Sequence, residues 1–131
     1  MLYESTIFSL NESQYAINKI LSNFTDSIFQ NEELAFKLKI ILNELVNNCF
    51  IHSESGSYVR ILAKCKENCI CFALIDDSEG FDYSKLDKAD FSSEDIQLKE
   101  CGRGIHIVRK LSDTLKYNRR GNVIAIKVNL V

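Results

Sequence analysis

Two polar side chains one helical turn apart are the first place where this chain could do chemistry. Glu44 and Asn48 lie in the segment Glu44-Leu45-Val46-Asn47-Asn48-Cys49-Phe50-Ile51-His52. At about 100° per residue, that spacing stacks a carboxylate and an amide on one flank of a helix. The carboxylate can act as a general base. The amide oxygen suits a hard cation such as Mg2+, which takes oxygen ligands and keeps several waters. A solvated helix flank uses the same residue types, so the pair alone leaves both readings open. His52, a further turn along, reads as a core or helix-end histidine rather than a ligand.

A second cluster, Asp76-Asp77-Ser78-Glu79-Gly80-Phe81-Asp82, follows directly on an apolar run. An acidic residue at a strand end can accept a hydrogen bond from a ligand amine, and Gly80 lets the main chain approach a flat ring. An acidic turn is the plainer reading of the cluster taken alone. The third is Gly102-Arg103-Gly104, leading into Ile105-His106-Ile107-Val108-Arg109-Lys110-Leu111. Glycines at a helix start leave main-chain N–H groups free to hold phosphate, aided by the helix dipole. A lone Gly-x-Gly is also common at loop-to-helix junctions for packing reasons.

The elements that must position these groups follow from periodicity. Tyr3–Leu10 alternates and is rich in aromatic and β-branched residues, as a strand does. Asn11 with Gln14 reads as a capping box, followed at helical spacing by Tyr15, Ile17, Ile20, Leu21, Phe24 and Ile28. A second helix is expected over about 32–51, with Leu34, Leu38, Ile41, Leu45 and Cys49 as its apolar stripe. Tyr58–Lys64 and Cys69–Ile75 read as a hairpin. Residues 83–100 are charged, irregular and too long for an ordinary connection, so a lid or binding loop over about 82–101 is expected. Gly102 to Leu111 reads as a third helix, and Thr114–Tyr117 with Val123–Val131 as a last hairpin. The order β, α, α, β, β, lid, α, β, β predicts a two-layer α/β (α+β) sandwich. Its sheet is expected to be mixed but mostly antiparallel, with helices on one face.

Composition bounds the function. The 131 residues make about one domain. With no Pro, no Trp and 5 Gly, the chain has no linker-like or low-complexity stretch. A net charge of −2 argues against a general nucleic-acid binder. The charge is uneven: residues 1–98 hold 8 basic and 16 acidic side chains, residues 99–131 hold 8 and 2. The C-terminal third could face an anion or simply neutralise the rest. The start lacks a basic, then apolar, leader, and the longest apolar run, Cys69–Ile75, is too short to span a bilayer. A cytoplasmic protein is expected, with no membrane partner. Five cysteines in that setting suggest reduced thiols. The spacing of Cys65, Cys69 and Cys71 departs from paired zinc-ligand spacing, and small strand residues are the better reading.

Order and spacing tie the three clusters together. Glu-x3-Asn, then Asp-x-Ser-x-Gly about thirty residues on, then Gly-x-Gly after a long loop resembles the N, G1 and G2 boxes of the GHKL (Bergerat-fold) ATPases. The segments "ILNELVNNCFIHS", "IDDSEGFD", "CGRGIHIVRKLSD" and "YNRRGNVIAIKVNL" resemble the compact branch containing the bacterial anti-sigma-factor serine/threonine kinases. The resemblance covers roughly residues 5–131. It implies a histidine-kinase-like ATPase fold with an ATP lid, and ATP with Mg2+ as the bound groups. It implies Glu44 as catalytic base, Asn48 as Mg2+ ligand and Asp76 as the contact to the adenine amine. It places Ser78 and Gly80 at the G1 glycine positions, and Gly102, Arg103 and Gly104 at the phosphates. The substrate implied is a Ser or Thr of a STAS-type anti-anti-sigma protein. The sequestered partner implied is a sigma factor, and such kinases often form homodimers.

One position departs: Ser78 stands where the first G1 glycine is expected. It motivates an alternative, a catalytically weak ATP-binding switch or adaptor of the same fold that regulates a partner by binding. A detached histidine-kinase module is the third reading, disfavoured because no dimerisation helix with a phosphoacceptor His lies upstream in the chain.

Overall fold

The structure is a computed structural model that describes residues 2–24, 31–51, 58–66, 68–77 and 100–130. Five strands and three α-helices are described: β1 (Leu2–Ile7), α1 (Ser13–Ser22), α2 (Glu32–Ile51), β2 (Val59–Cys65), β3 (Cys69–Asp76), α3 (Glu100–Leu111), β4 (Thr114–Tyr117) and β5 (Val123–Asn129). The strands form one sheet in the order β1-β2-β3-β5-β4. Every described pairing is antiparallel, so the mostly antiparallel sheet expected from the sequence has no parallel pair among the described residues.

Alternation decides which side of each strand meets the helices. On β3, Ile70, Phe72, Leu74 and Asp76 point inward and are buried, while Cys69, Cys71, Ala73 and Ile75 are half-buried on the other face. On β2 the inward set is Val59, Ile61, Ala63 and, at its end, Cys65. Cys65 therefore faces the opposite side of the sheet from Cys69 and Cys71, and Cys65, Cys69 and Cys71 are free thiols.

The second helix spans the residues its periodicity predicts. Asn31 caps it: the Asn31 side-chain oxygen accepts the Leu34 N–H at 3.1 Å, and Glu32 and Glu33 favour the positive end of the helix dipole. The stripe Leu34, Leu38, Ile41, Leu45 and Cys49 is buried, but so are Leu42 and Val46. The helix lies on β2 and β3 with α1 and α3 on its flanks, so it buries more than one face.

Several boundaries differ from expectation for identifiable reasons. The first strand ends at Ile7 rather than Leu10, because the Glu12 carboxylate accepts the N–H groups of Phe8 and Ser9 at 2.6 and 3.0 Å. A 3-10 turn over Leu10–Glu12 then leads into α1. The reciprocal cap is thus Ser9 with Glu12, not Asn11 with Gln14. Gln14 instead donates to Asn43 Oδ1 on α2 at 2.8 Å. Tyr15 is 73% exposed and Ala16 is buried in its place. Tyr15 lies about 160° around the helix from Ile17, on the side away from the core. Ile28 lies outside the described residues. β5 ends at Asn129, the partner of the first β3 residue, rather than Val131. No helix among the described residues is long and apolar enough to cross a membrane.

Candidate functional site

Among the described residues, three polar side chains are buried: Ser13, Asn48 and Asp76. A buried polar group needs a partner or a ligand to offset lost hydration, so two of the three falling on the expected site is informative. Asn48 reaches its position because α2 turns its Glu44–Asn48 flank towards α3 rather than into solvent. Asn48 is 2% exposed. Its Oδ1 accepts no hydrogen bond from the described residues, although the residue makes another interaction.

Glu44 is half-buried and meets α3 at Gly104. A Cβ added at Gly104 would lie 2.6 Å from Glu44 Oε2 and 3.6 Å from its carboxyl carbon. Only glycine leaves the carboxylate in this position, because a Cβ at 104 would occupy the space that its oxygen fills. The structure therefore brings the G2 glycine and the N-box carboxylate of the sequence resemblance into contact.

The helix start differs from the sequence expectation. α3 begins at Glu100, two residues before Gly102. Gly102 and Arg103 lie in the first described turn of α3, and Gly104 follows them. The expected lid over 82–101 therefore overlaps the helix at Glu100 and Cys101. The rest of that lid, with Ser78, Gly80 and His52, lies outside the described residues.

Asp76 and Asp77 serve different ends. Asp77 is exposed, and its carboxylate accepts the Tyr58 N–H at 3.1 Å, extending the β2–β3 pairing by one residue. Asp76 is the last residue of β3 and faces inward, 6% exposed. Its N–H donates to Asn122 O at 3.0 Å, and Asn122 Nδ2 donates to Asp76 O at 3.4 Å. The buried Cys49 thiol lies within electrostatic reach of Asp76. Burial pushes that thiol well above the usual thiol range, and the Asp76 charge pushes it in the same direction.

Sequence reasoning missed Cys49 and Asn122 as neighbours of Asp76. Signals were present: Cys49 follows Asn48 directly, and Asn122 lies in the "YNRRGN" segment. Pairing either with Asp76, however, depends on a long-range contact.

The arrangement places a carboxylate and an amide at the α2–α3 junction, and a second carboxylate at the adjoining end of the sheet. These groups can accept a proton, hold a cation through oxygen, and accept a hydrogen bond from an amine. Comparison with known proteins gives the family and the fold. A family model described as the histidine kinase-like ATPase domain matches residues 8–128. No curated protein sequence matches the chain. Solved structures similar to it include the nucleotide-free catalytic domain of the histidine kinase ThkA. That match has a TM-score of 0.57 and 16% identity, and covers 98% of this chain and 97% of that one. At that identity the likeness speaks for the fold alone.

Proposed function

The chain belongs to the histidine kinase-like ATPase family, and from that premise we propose that it is an anti-sigma-factor-type serine/threonine kinase. It binds ATP, phosphorylates a Ser or Thr hydroxyl on a STAS-type anti-anti-sigma protein, and sequesters a sigma factor. The observation that carries the reading is the placement of Glu44 against Gly104, which holds a carboxylate at the first turns of α3. A carboxylate so held is suited to take a proton from an incoming hydroxyl.

The residues present fit the groups the family implies. The Asn48 amide offers a hard, neutral oxygen, the donor type that Mg2+ accepts. Asn48 would hold the ion, which when bound neutralises charge on the phosphates. Main-chain N–H groups at the start of α3 would suit phosphate oxygens. The Asp76 carboxylate accepts a hydrogen bond from the purine amine. Glu44 accepts the hydroxyl proton as the partner oxygen bonds to the γ-phosphorus and the bond to the ADP oxygen breaks.

The test is to incubate the protein with radiolabelled Mg-ATP and a STAS-like protein encoded beside it. Label on a Ser or Thr of that protein, lost in Glu44→Ala while ATP binding is retained, is the expected outcome. Equal transfer by wild type and Glu44→Ala would sink the assignment. ATP binding without transfer by the wild type would favour the switch reading, which Ser78 motivates. No binding at millimolar ATP would remove both.

A further inference from the structure

The sheet has a second face, turned away from the helices. Its residues on β2, β3 and β5 are half-buried or exposed, whereas those on the helix side are buried. The strand register sets its pattern. Lys64, Cys71, Lys127 and Thr114 form one row across β2, β3, β5 and β4. Leu62, Ala73, Ala125 and Lys116 form the next. The small side chains of Cys71, Ala73 and Ala125 floor a groove of about 410 Å³, and Lys64, Lys116 and Lys127 are the charged residues that line it. No acidic side chain does so among the described residues. Glu4, at the end of the second row, is already paired with Arg60 at 2.9 Å.

None of the three lysines makes an ion pair among the described residues. Lys64 and Lys127 flank Cys71 from its two neighbouring strands, and Lys116 lies diagonal to Lys127. Like charges at such spacing repel one another, and an anionic occupant relieves the repulsion. The cluster is positive on a chain whose net charge is −2, so it is a local feature and not a reflection of overall charge. We propose that this face is a docking surface for an acidic amphipathic helix of a partner protein. The helix would lay its apolar stripe over Leu62, Ala73 and Ala125 and set its carboxylates against Lys64, Lys116 and Lys127. A helix layer is the usual cover for a sheet face, and small floor residues let it approach closely. A second copy fits less well, because a two-fold contact would oppose lysine to lysine. A lipid surface offers no row of side chains to fill a groove. Lys116 and Lys127 belong to the basic C-terminal third, so part of its excess charge is directed away from Asp76, which faces the helices. The inference stands apart from the ATP-binding reading.

The experiment follows the fluorescence anisotropy of two labelled synthetic helices. One carries a leucine stripe flanked by glutamates; the other has lysine in place of each glutamate. The expected result is binding of the glutamate helix, with the lysine helix at least about tenfold weaker. Affinity for the glutamate helix is expected to fall as salt rises. Lys64→Ala, Lys116→Ala and Lys127→Ala should each weaken it about two- to fivefold, the worth of an exposed ion pair. Leu62→Ala keeps the charge and should weaken it about three- to tenfold through lost apolar contact. Lys64 and Lys116 are exposed, so their substitution keeps the fold and the charge test stands even where Leu62→Ala lowers stability. Equal binding of the two helices, binding of neither at millimolar concentration, or full affinity in the lysine variants overturns the proposal. So does a dimer, detected by sedimentation, that Leu62→Arg converts to monomer, because the face would then belong to a second copy. Capture by phosphatidylserine vesicles that the lysine variants lose, with no helix bound, would assign the face to a membrane and overturn it too.

Discussion

Gly104→Ala separates stability from catalysis at a single atom. The added Cβ would lie 2.6 Å from Glu44 Oε2, whereas ordinary contact begins at 3.4 Å, so the oxygen must retreat by about 0.8 Å. Glu44 is a flexible side chain and can make that movement at a cost of roughly 0.5–1.5 kcal/mol in an unfavourable rotamer. Against this, Gly104 lies within α3 and lacks a positive φ, so alanine relieves the helix penalty of glycine, worth about 0.8–1 kcal/mol. The two terms nearly cancel, and the urea midpoint is expected to move little. Catalysis has no such compensation. A displacement approaching 1 Å at a general base lowers the rate by about 100-fold, or roughly 2.7 kcal/mol of transition-state stabilisation. The assay is transfer from Mg-ATP at saturating nucleotide, with ATP affinity measured separately. Affinity is expected to change much less than rate. In a Glu44→Ala background, adding Gly104→Ala is expected to remove nothing further, since the two substitutions act through one carboxylate. Wild-type transfer by Gly104→Ala refutes the reasoning. So does a loss of ATP affinity that accounts for the whole fall in rate, because Gly104 would then act on bound phosphates rather than on the base.

Three further outcomes are expected. Asn48→Ala should abolish most of the Mg2+ dependence of ATP binding, read by titrating nucleotide with and without the ion; an unchanged dependence removes Asn48 as the ligand. The Cys49 thiol has its pKa raised above the ordinary 9.0 by burial first and by Asp76 second. The folded state therefore holds this proton more tightly than the unfolded state, so the contribution is full below about pH 9 and declines as pH rises further. Urea unfolding between pH 8 and 11 should show a decline shallower in Cys49→Val by up to about 1.4 kcal/mol per pH unit. Gly121→Ala should lower stability by about 1–2 kcal/mol, because Gly121 has a φ of 80°. The loss is read from urea unfolding, and a neutral effect would mean that the turn does not need that conformation.

Much of the architecture was legible in the residues because it depends on local repeats. The 3.6-residue period defines α2 without reference to the rest of the chain. The first full hairpin followed from two apolar runs broken by a polar turn. Glu44 and Asn48 share a flank of α2 by helix geometry alone, and the order of the three motifs supplied the family. Local signals also misled where a competitor was close by. Gln14 suits a capping box, but Glu12, a charged acceptor within reach of two N–H groups, forms it instead.

The distribution of work within the site was a tertiary matter. The run Cys69–Ile75 is apolar on both faces, so its phase shows only once helices cover one side and leave Asp76 buried and Asp77 exposed. Cys49 reads as one more member of an apolar stripe until β3 brings the Asp76 charge within its reach. Gly104 reads as part of a phosphate-binding turn until α2 brings Glu44 against it. The sequence by itself determined the elements and the residue types at each motif, because periodicity and capping act over a few residues. Only the fold decided which of those residues touch, because each contact joins segments far apart in the chain.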